Sequence, residues 1–532
     1  MAMHDPFLLR RRDILTAAAA TFAAGACRAA PAGGVSLFDY LPAGEQARIA
    51  AGTSDLDCAP ILDRAIGEAI AADAPLVVPR GTYLLVPWHR LNHADRTFEC
   101  LAAVRMRSKL RITGEAGAVL SIVPGFSSDR RPRAAVMFGA DAPLADFELT
   151  GLTLDMNGRA NPISPGRRRR DFSRLPQAQI FVSSPVGRPA ARVDRARIAD
   201  VTFRDANGVS CIVMAQTDDP AATLGRGWTI ERCVFDQNGL DTDDHSSIFA
   251  WAEDVVIDRC RFGNAKPFDG TGVNTAIEVH GARQRITRST FGSMLRGIWV
   301  ANNYSAVTTG TVIADNEFRT QFYGVDFFHD RPNARRIVDT RIENNRFAFD
   351  DRTIATLPRL DMKAAVQIAS EFGQQGIRAT GNRVTKIGDR VTSAFLVVTG
   401  GASGAQRHTD IVATGNEGSG LTFGSFVRTS ATAGLGTLTI TDNRWQDLTP
   451  SATMGIAAGD AIERTGTPQP IAALTLGGGE IRDGRARRRT THGVFLNARV
   501  DRLSLKPIRS EASRDLELGG AAIVSRRAGA LR

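Results

Sequence analysis

Residues 313–318 read Ile-Ala-Asp-Asn-Glu-Phe, and residues 342–347 read Ile-Glu-Asn-Asn-Arg-Phe. Both follow one pattern: an aliphatic residue, a small or amide residue three positions later, and an aromatic or aliphatic residue two positions after that. The pattern recurs with its middle residue at Leu152, Val201, Cys233, Cys260, Ser289, Asn316, Asn345, Asn382, Asn416 and Asn443. From Cys233 onward these middle residues lie 27, 29, 27, 29, 37, 34 and 27 positions apart.

This period predicts a stack of similar coils. Repeats of about 20 to 50 residues indicate a repeat architecture, and short apolar strands within them indicate a β-solenoid. The asparagines at the middle position predict an amide ladder at a turn, because Asn tolerates a left-handed backbone and its amide bonds along the stack. We therefore expect these asparagines to hold the coils together rather than to bind a ligand.

A second strand follows each repeat, in segments 246–252, 275–281, 297–303, 324–330, 364–370 and 394–400. We align an inward column in these strands as Ile248, Ile277, Ile298, Val325, Val366 and Phe395. Successive strand residues alternate between faces, so the next column is predicted to point outward. That outward column reads Phe249, Glu278, Trp299, Asp326, Gln367 and Leu396.

Three further stretches carry a family resemblance: Leu37-Phe38-Asp39-Tyr40 before a helix from about 57 to 71, the run 76–83 (Leu-Val-Val-Pro-Arg-Gly-Thr-Tyr), and the step 152–158 (Leu-Thr-Leu-Asp-Met-Asn-Gly). Over about residues 35–450 the chain resembles the pectin-lyase-like superfamily, in its pectate-lyase-3, polygalacturonase-like and tailspike branch. The resemblance implies an all-β, single-stranded, right-handed parallel β-helix of roughly 10–12 coils with a short N-terminal capping helix. It also implies action on a polysaccharide.

The first residues are similar to a twin-arginine export signal. Arg10-Arg11-Arg12-Asp13-Ile14-Leu15 precedes an alanine-rich run and Ala30-Pro31-Ala32. This pattern predicts a signal peptide over 1–32, and hence a periplasmic or secreted protein. Cys27 follows only a weak lipobox, so a lipid anchor is not expected. No other apolar run approaches the ~18 residues of a membrane span, and we expect no transmembrane segment.

The remaining chain divides into an N-terminal cap and first coil (33–100), the β-helix (101–450), and last coils with a C-terminal cap (451–532).

Among the 532 residues, 66 are Lys or Arg and 56 are Asp or Glu, giving a net charge of +10. No zinc spacing, helix-turn-helix or aromatic RNA-binding motif is present, which argues against a nucleic-acid partner. The basic surface suits an anionic polysaccharide instead.

The outward column holds the candidate catalytic residues. Glu278 and Asp326 lie two coils apart, which places their backbones roughly 9.6 Å from each other. Inverting glycosidases hold two carboxyl groups about 6.5–9.5 Å apart, so hydrolysis by paired carboxylates is the first expectation, with Asp326 as one partner and Glu278 or Asp244 as the other. Trp299 lies between them as a sugar-stacking surface.

Two alternatives stay open. A lyase acting on a uronate polymer would use Arg296 as charge neutraliser and His280, Tyr323 or Lys363 as base. A non-catalytic carbohydrate-binding or cell-surface solenoid would use the same fold without chemistry. The remaining substrate-binding candidates are His245, His329 and Asp243. No cofactor is required, although calcium would suit the carboxylates of Asp241, Asp243 and Asp244.

Overall fold

The computed structural model describes residues 33–92, 100–127, 133–161, 177–183, 191–215, 223–239, 244–263, 273–292, 294–301, 308–320, 322–327, 337–351, 362–369, 373–399, 407–429, 434–451, 453–464, 469–518 and 523–528. The proposed signal peptide and Cys27 lie outside these ranges. A 3₁₀ turn, Leu37–Tyr40, leads into helix α1, Ala43–Ala50, and helix α2, Ala59–Ala71. The helix expected at about 57–71 is therefore confirmed.

Helix α2 covers the N-terminal end of the stack. Its buried residues Leu62, Ala65, Ile66 and Ala69 follow the three-and-four spacing of one helix face. Pro60 lies in its first turn, where a missing N–H costs no hydrogen bond. The helix thus closes the apolar interior of the first coil.

Three long sheets make up the rest of the described chain. Sheet A has 16 strands: Val35–Ser36, Leu76–Val78, Arg111–Gly114, Leu144–Thr150, Val193–Ala199, Thr229–Glu231, Val256–Asp258, Arg285–Thr287, Val312–Ala314, Val338–Glu343, Gln375–Thr380, Thr409–Thr414, Leu435–Thr441, Ile471–Gly477, Val500–Leu505 and Ile523–Ala528. Sheet B has 14 strands: Gly81–Leu85, Ala118–Ile122, Thr153–Asp155, Thr202–Arg204, Val234–Asp236, Arg261–Phe262, Thr290–Gly292, Glu317–Arg319, Arg346–Asp350, Arg383–Ile387, Glu417–Ser419, Arg444–Gln446, Glu480–Arg482 and Arg509–Ser510.

Sheet C has 15 strands: His89–Arg90, Cys100–Arg105, Ala134–Ala140, Ala178–Val182, Ser210–Val213, Asp244–Ala250, Val273–Val279, Arg296–Val300, Tyr323–Phe327, Lys363–Ile368, Ser393–Thr399, Phe423–Thr429, Ala458–Arg464, His492–Leu496 and Arg514–Leu518. Each coil between the two ends contributes one strand to each sheet, and neighbouring strands are parallel, except that His89–Arg90 runs antiparallel to Cys100–Arg105. The fold is a parallel β-helix, as expected. The stack is longer than the roughly 10–12 coils predicted, because the first and last coils depart from the repeat pattern.

A column of aromatic rings fills the interior at sheet B. Phe203, Phe235, Phe262, Phe291, Phe318 and Phe347 occupy equivalent positions on successive strands. Neighbouring ring centroids are 4.6–5.0 Å apart, and the ring planes lie within 11° of parallel. The spacing of parallel strands sets this distance. Each buried ring contributes about 1.5–3 kcal/mol of hydrophobic stabilisation.

The predicted asparagine ladder is confirmed. The side-chain amide of Asn316 donates to Oδ1 of Asn345 over 3.0 Å, and the same contact links Asn345 to Asn382, Asn382 to Asn416 and Asn416 to Asn443. Each amide also donates to a backbone carbonyl, as Asn382 does to Ile342.

One detail of the ladder differs from expectation. The left-handed residue is the one before each ladder position: Asp315, Asn344, Gly381, Gly415 and Asp442. The left-handed backbone of the turn therefore lies one residue before the ladder. The ladder asparagines themselves have a negative φ.

Sheet C carries an irregularity that positions its outward side chains. A methyl group added at Gly297 would lie 2.5 Å from Phe318 Cδ1, so Gly297 faces the interior, as does its neighbour Ile298. With two consecutive residues inward, Arg296 and Trp299 both face outward. The column that contains Gly297 contains Phe395 in the strand Ser393–Thr399. Leu396, rather than Phe395, pairs with the inward residue Val366. The predicted column was thus one residue out of register at its last strand, where Val397 faces outward in place of Leu396.

Arginine–aspartate pairs join neighbouring coils at the edge of sheet A. Arg195 contacts Asp146 over 2.7 Å, and Arg232 contacts Asp200 over 2.8 Å. These pairs are exposed, so each adds little stability. Among the described residues, no helix is both long and apolar enough to cross a bilayer.

Candidate functional site

The outward column of sheet C brings the predicted carboxylates onto one face. Phe249 pairs with Glu278, Glu278 with Trp299, and Trp299 with Asp326. Glu278 and Asp326 are thus two coils apart, with the indole between them, and their backbones are separated by about 9.6 Å. We call Ser246, Glu278, His280, Arg296, Trp299 and Asp326 the sheet C cluster.

Asp326 is an almost fully buried carboxylate at 1% exposure. Its Oδ2 lies 2.6 Å from Nε of Arg296, which comes from the preceding coil. The N–H is not aligned with that oxygen, so the contact is an ion pair rather than a well-formed hydrogen bond. None of the described residues donates a hydrogen bond to Oδ1 of Asp326. Burial raises the pKa of Asp326, and Arg296 partly offsets the rise.

Arg296 lies between aromatic rings. Its guanidinium carbon is 5.3 Å from the centroid of Trp299 and 6.0 Å from that of Tyr323. Cation–π attraction therefore adds to the ion pair in fixing this side chain. Trp299 remains partly exposed, whereas Tyr323 is buried.

Glu278 is held from two sides. Its Oε1 accepts a hydrogen bond from the Ser246 hydroxyl on the preceding coil, and its Oε2 lies 3.0 Å from Nε2 of His280 on the same strand segment. His280 is buried against the ring of Phe249, with centroids 4.6 Å apart. Glu278 keeps 7% exposure. Sequence analysis missed Ser246, although its pairing position one coil before Thr275 is readable from the repeat.

The structure places His245 inside the solenoid. Its Nδ1 lies 2.8 Å from the carbonyl oxygen of Gly208, and its Nε2 lies 4.0 Å from Sγ of Cys211. Burial lowers the pKa of His245 to about 4, so the ring is neutral at ordinary pH. These contacts are those of a core histidine.

Lys363 is also buried away from the sheet C cluster. Its ammonium lies 2.9 Å from Asp351, whose other oxygen lies 2.8 Å from Lys386. Burial lowers the pKa of Lys363. Asp351 follows a sheet B strand, so this triad joins the corner between sheets B and C. The structure does not bring Lys363 to the candidate carboxylates.

Several predicted residues fall outside the described ranges: Asp241, Asp243 and His329. For Asp244 only the backbone is described, where it pairs with Val273. The described side chains contain no group of three or more His, Cys, Asp or Glu residues arranged to hold a metal ion. The five described cysteines are free and buried: Cys58, Cys100, Cys211, Cys233 and Cys260.

No protein-family model matches the chain, and no curated protein sequence matches it. Solved structures do match. One is a Glu-to-Gln variant of the tailspike protein of Escherichia coli bacteriophage HK620 in complex with a pentasaccharide, with a TM-score of 0.62 and 12% identity over 92% of this chain and 79% of that chain.

A further variant of the same tailspike, in complex with a hexasaccharide, has a TM-score of 0.61 and 13% identity over 92% of this chain and 78% of that chain. An Asp-to-Asn variant with a pentasaccharide has a TM-score of 0.60 and 13% identity over the same shares. At such identities the likeness concerns the fold. The chain is a parallel β-helix similar in fold to a bacteriophage tailspike.

Proposed function

We propose that the protein binds a polysaccharide across the outward face of sheet C and hydrolyses it with Asp326 and Glu278. The observation that carries the proposal is the placement of two buried carboxylates two coils apart on one column, on either side of a partly exposed tryptophan. Their backbone separation of about 9.6 Å leaves room for a sugar and a water between the carboxyl groups. The tailspike of similar fold is bound to oligosaccharides, which supports a carbohydrate ligand.

Asp326 fits the general acid. Burial raises the pKa of its carboxyl group, which favours the protonated form that a general acid needs, while Arg296 acts in the opposite direction. Once the proton is transferred, the carboxylate that forms lies against Arg296, which stabilises the new negative charge. Oδ1 of Asp326 has no donor among the described residues, and we assign the transferred proton to this oxygen.

Glu278 fits the base that activates water. The Ser246 hydroxyl donates to one of its oxygens, and His280, when protonated at Nε2, donates to the other. Two donors fix the direction of this carboxyl group. Trp299 then offers the sugar ring an apolar surface between the two carboxyl groups.

The ion pair favours hydrolysis over elimination. A lyase needs a cation free to neutralise the substrate carboxylate, and the guanidinium of Arg296 is already 2.6 Å from Asp326. Hydrolysis therefore uses the observed contacts without breaking them.

We also propose that the protein is exported and that its substrate is anionic. The basic n-region and alanine-rich run support export through the twin-arginine route. The described cysteines are all free thiols, in keeping with folding in a reducing cytoplasm before transport. A net charge of +10 favours an anionic glycan.

The test compares wild type with Asp326→Asn and Glu278→Gln on a panel of acidic polysaccharides. We expect new reducing ends with wild type and a loss of about 100-fold or more in kcat with either variant, as for removal of a general acid or base. Asp410→Asn is the matched control, because Asp410 is an exposed carboxylate on sheet A, and it should retain full activity.

Three outcomes contradict the proposal. Ultraviolet absorbance from unsaturated uronate products would identify a lyase. Binding without any cleavage would identify a non-catalytic solenoid. Full activity in both variants would remove the two carboxylates from the mechanism.

A further inference from the structure

The outward face of sheet B is uncharged in one column of the early coils and charged in the same column of the late coils. In the early coils its first outward column reads Thr153, Thr202 and Val234. In the late coils the same column is charged and runs Arg346, Arg383, Glu417, Arg444, Glu480 and Arg509. A second outward column beside it reads Thr385, Ser419, Gln446 and Arg482.

These two columns line a groove. It encloses about 560 Å³ and is bordered by Arg383, Glu417, Arg444, Gln446, Arg482 and Arg509. That volume falls within the range of small-molecule sites, about 300–1,000 Å³. The groove belongs to a different sheet from the sheet C cluster, and the proposed hydrolysis makes no use of it.

The groove has more cations than anions. Glu417 is shared between Arg383, at 3.1 Å, and Arg444, at 3.4 Å. Arg482 contacts Glu480 over 2.9 Å, while Arg509 makes no ion pair with a described residue. Four arginines thus face two glutamates. Because the arginines are exposed, their present pairs are weak and an incoming carboxylate can compete for them.

The arginines are also regularly spaced. Arg383 and Arg444 are two coils apart, and Arg444 and Arg509 are again two coils apart, so each interval is about 9.6 Å. This is about the length of two linked sugar rings. A planar guanidinium binds a carboxylate through two parallel hydrogen bonds, and the adjoining Thr385, Ser419 and Gln446 offer partners for hydroxyl groups.

We propose that this groove is a second binding surface, for a linear polysaccharide that carries carboxylates at regular intervals along its chain. The proposal stands independently of hydrolysis at sheet C. Where both hold, the groove keeps a polymer attached to the protein while another segment is cleaved.

The test measures binding of a defined oligogalacturonate by isothermal titration calorimetry at fixed salt. All proteins carry Trp299→Ala and Asp326→Asn, so that sheet C neither binds nor cleaves the probe. In this background we expect Arg444→Gln with Arg509→Gln to weaken binding about ten-fold or more, through loss of two charge-assisted contacts. Circular dichroism verifies that each variant is folded.

The matched control replaces two exposed arginines of sheet A, Arg195→Gln with Arg378→Gln, and removes the same net charge. It should leave the affinity within about two-fold, since charges on another face act only through a screened field. Three results overturn the proposal: no binding in the parent background, equal weakening by the control pair, or equally tight binding of duplex DNA. Weakened binding with retained cleavage by the Arg444→Gln Arg509→Gln pair in an otherwise wild-type chain would support a groove distinct from the cleavage site.

Discussion

At the scale of single residues, Asp460 is a carboxyl group in an interior column that is aliphatic apart from this residue and Ser425. It pairs with Ser425 on the preceding coil and Val494 on the following one, and it is 3% exposed. Burial raises the pKa of Asp460 to about 7. The folded protein therefore holds this proton at pH values where the unfolded chain has lost it.

This difference predicts a stability that falls as pH rises. Between about pH 4 and pH 7 the folded state binds more protons than the unfolded state at this residue, so the free energy of unfolding declines over that window and is level above it. The loss is on the order of 4 kcal/mol at most. Denaturant unfolding of wild type and Asp460→Asn, at pH 5 and pH 8, measures it.

Asp460→Asn removes this titration and keeps the side-chain shape, so its free energy of unfolding should fall less between pH 5 and pH 8 than that of wild type. The contribution of other titrating groups cancels in the comparison. A pH dependence identical in the two proteins would show that Asp460 ionises normally.

At the scale of an element, the sheet C strands depend on small residues at one interior column. Gly297 leaves no room for a side chain, because Phe318 and the carbonyl of Gly324 occupy the space. The phenylalanine column of sheet B therefore reaches beneath the strand that carries Arg296 and Trp299. Packing inside the solenoid and the direction of the outward side chains are coupled at this point.

We expect Gly297→Ala to lower the free energy of unfolding by about 1–3 kcal/mol, as overpacking does in a filled core. It should also reduce the proposed activity, because Arg296 and Trp299 flank the substituted residue. Gly292→Ala is the control: its added methyl group would meet nothing nearer than the Phe262 carbonyl, at 3.8 Å. Equal stability of the two variants in denaturant titrations would contradict the assignment of Gly297 to the interior.

The strand repeat could be predicted because its residues recur at fixed positions. Alternation along aligned strands was enough to place Glu278, Trp299 and Asp326 in one column, and the Asn ladder followed from the same alignment. The predicted alignment was one residue out of register at Phe395. Two consecutive residues face inward in these strands, and the sequence repeat does not reveal this break in the alternation. The triad of Asp351, Lys363 and Lys386 was also missed, because it joins a sheet corner across turns of unequal length.

At the scale of the whole molecule, the described chain is one stack in which most contacts join neighbouring coils. Such a protein is stabilised by the sum of similar interfaces, and its two ends need covers. Helix α2 covers the first coil. The proposed leader lies outside the described residues and can be tested separately.

We expect Arg11→Lys with Arg12→Lys to retain the protein in the cytoplasm of a bacterial host, because the transport machinery reads the arginine pair. Cell fractionation with antibody detection measures this. Arg487→Lys with Arg488→Lys is the matched control, and it should be exported like wild type. Normal export of the leader variant would exclude the twin-arginine route.

The hydrogen bonds of the asparagine ladder all point in one direction along the stack. Four ladder residues donate both the side-chain amide and the backbone N–H to Oδ1 of the ladder residue on the next coil: Asn316, Asn345, Asn382 and Asn416. A stack formed from its N-terminal side up to one of these four residues therefore ends in two donors that face water and have no protein acceptor. The next coil to leave the ribosome brings the oxygen that completes them, so the leading edge of the folding chain is a template for the segment synthesised after it.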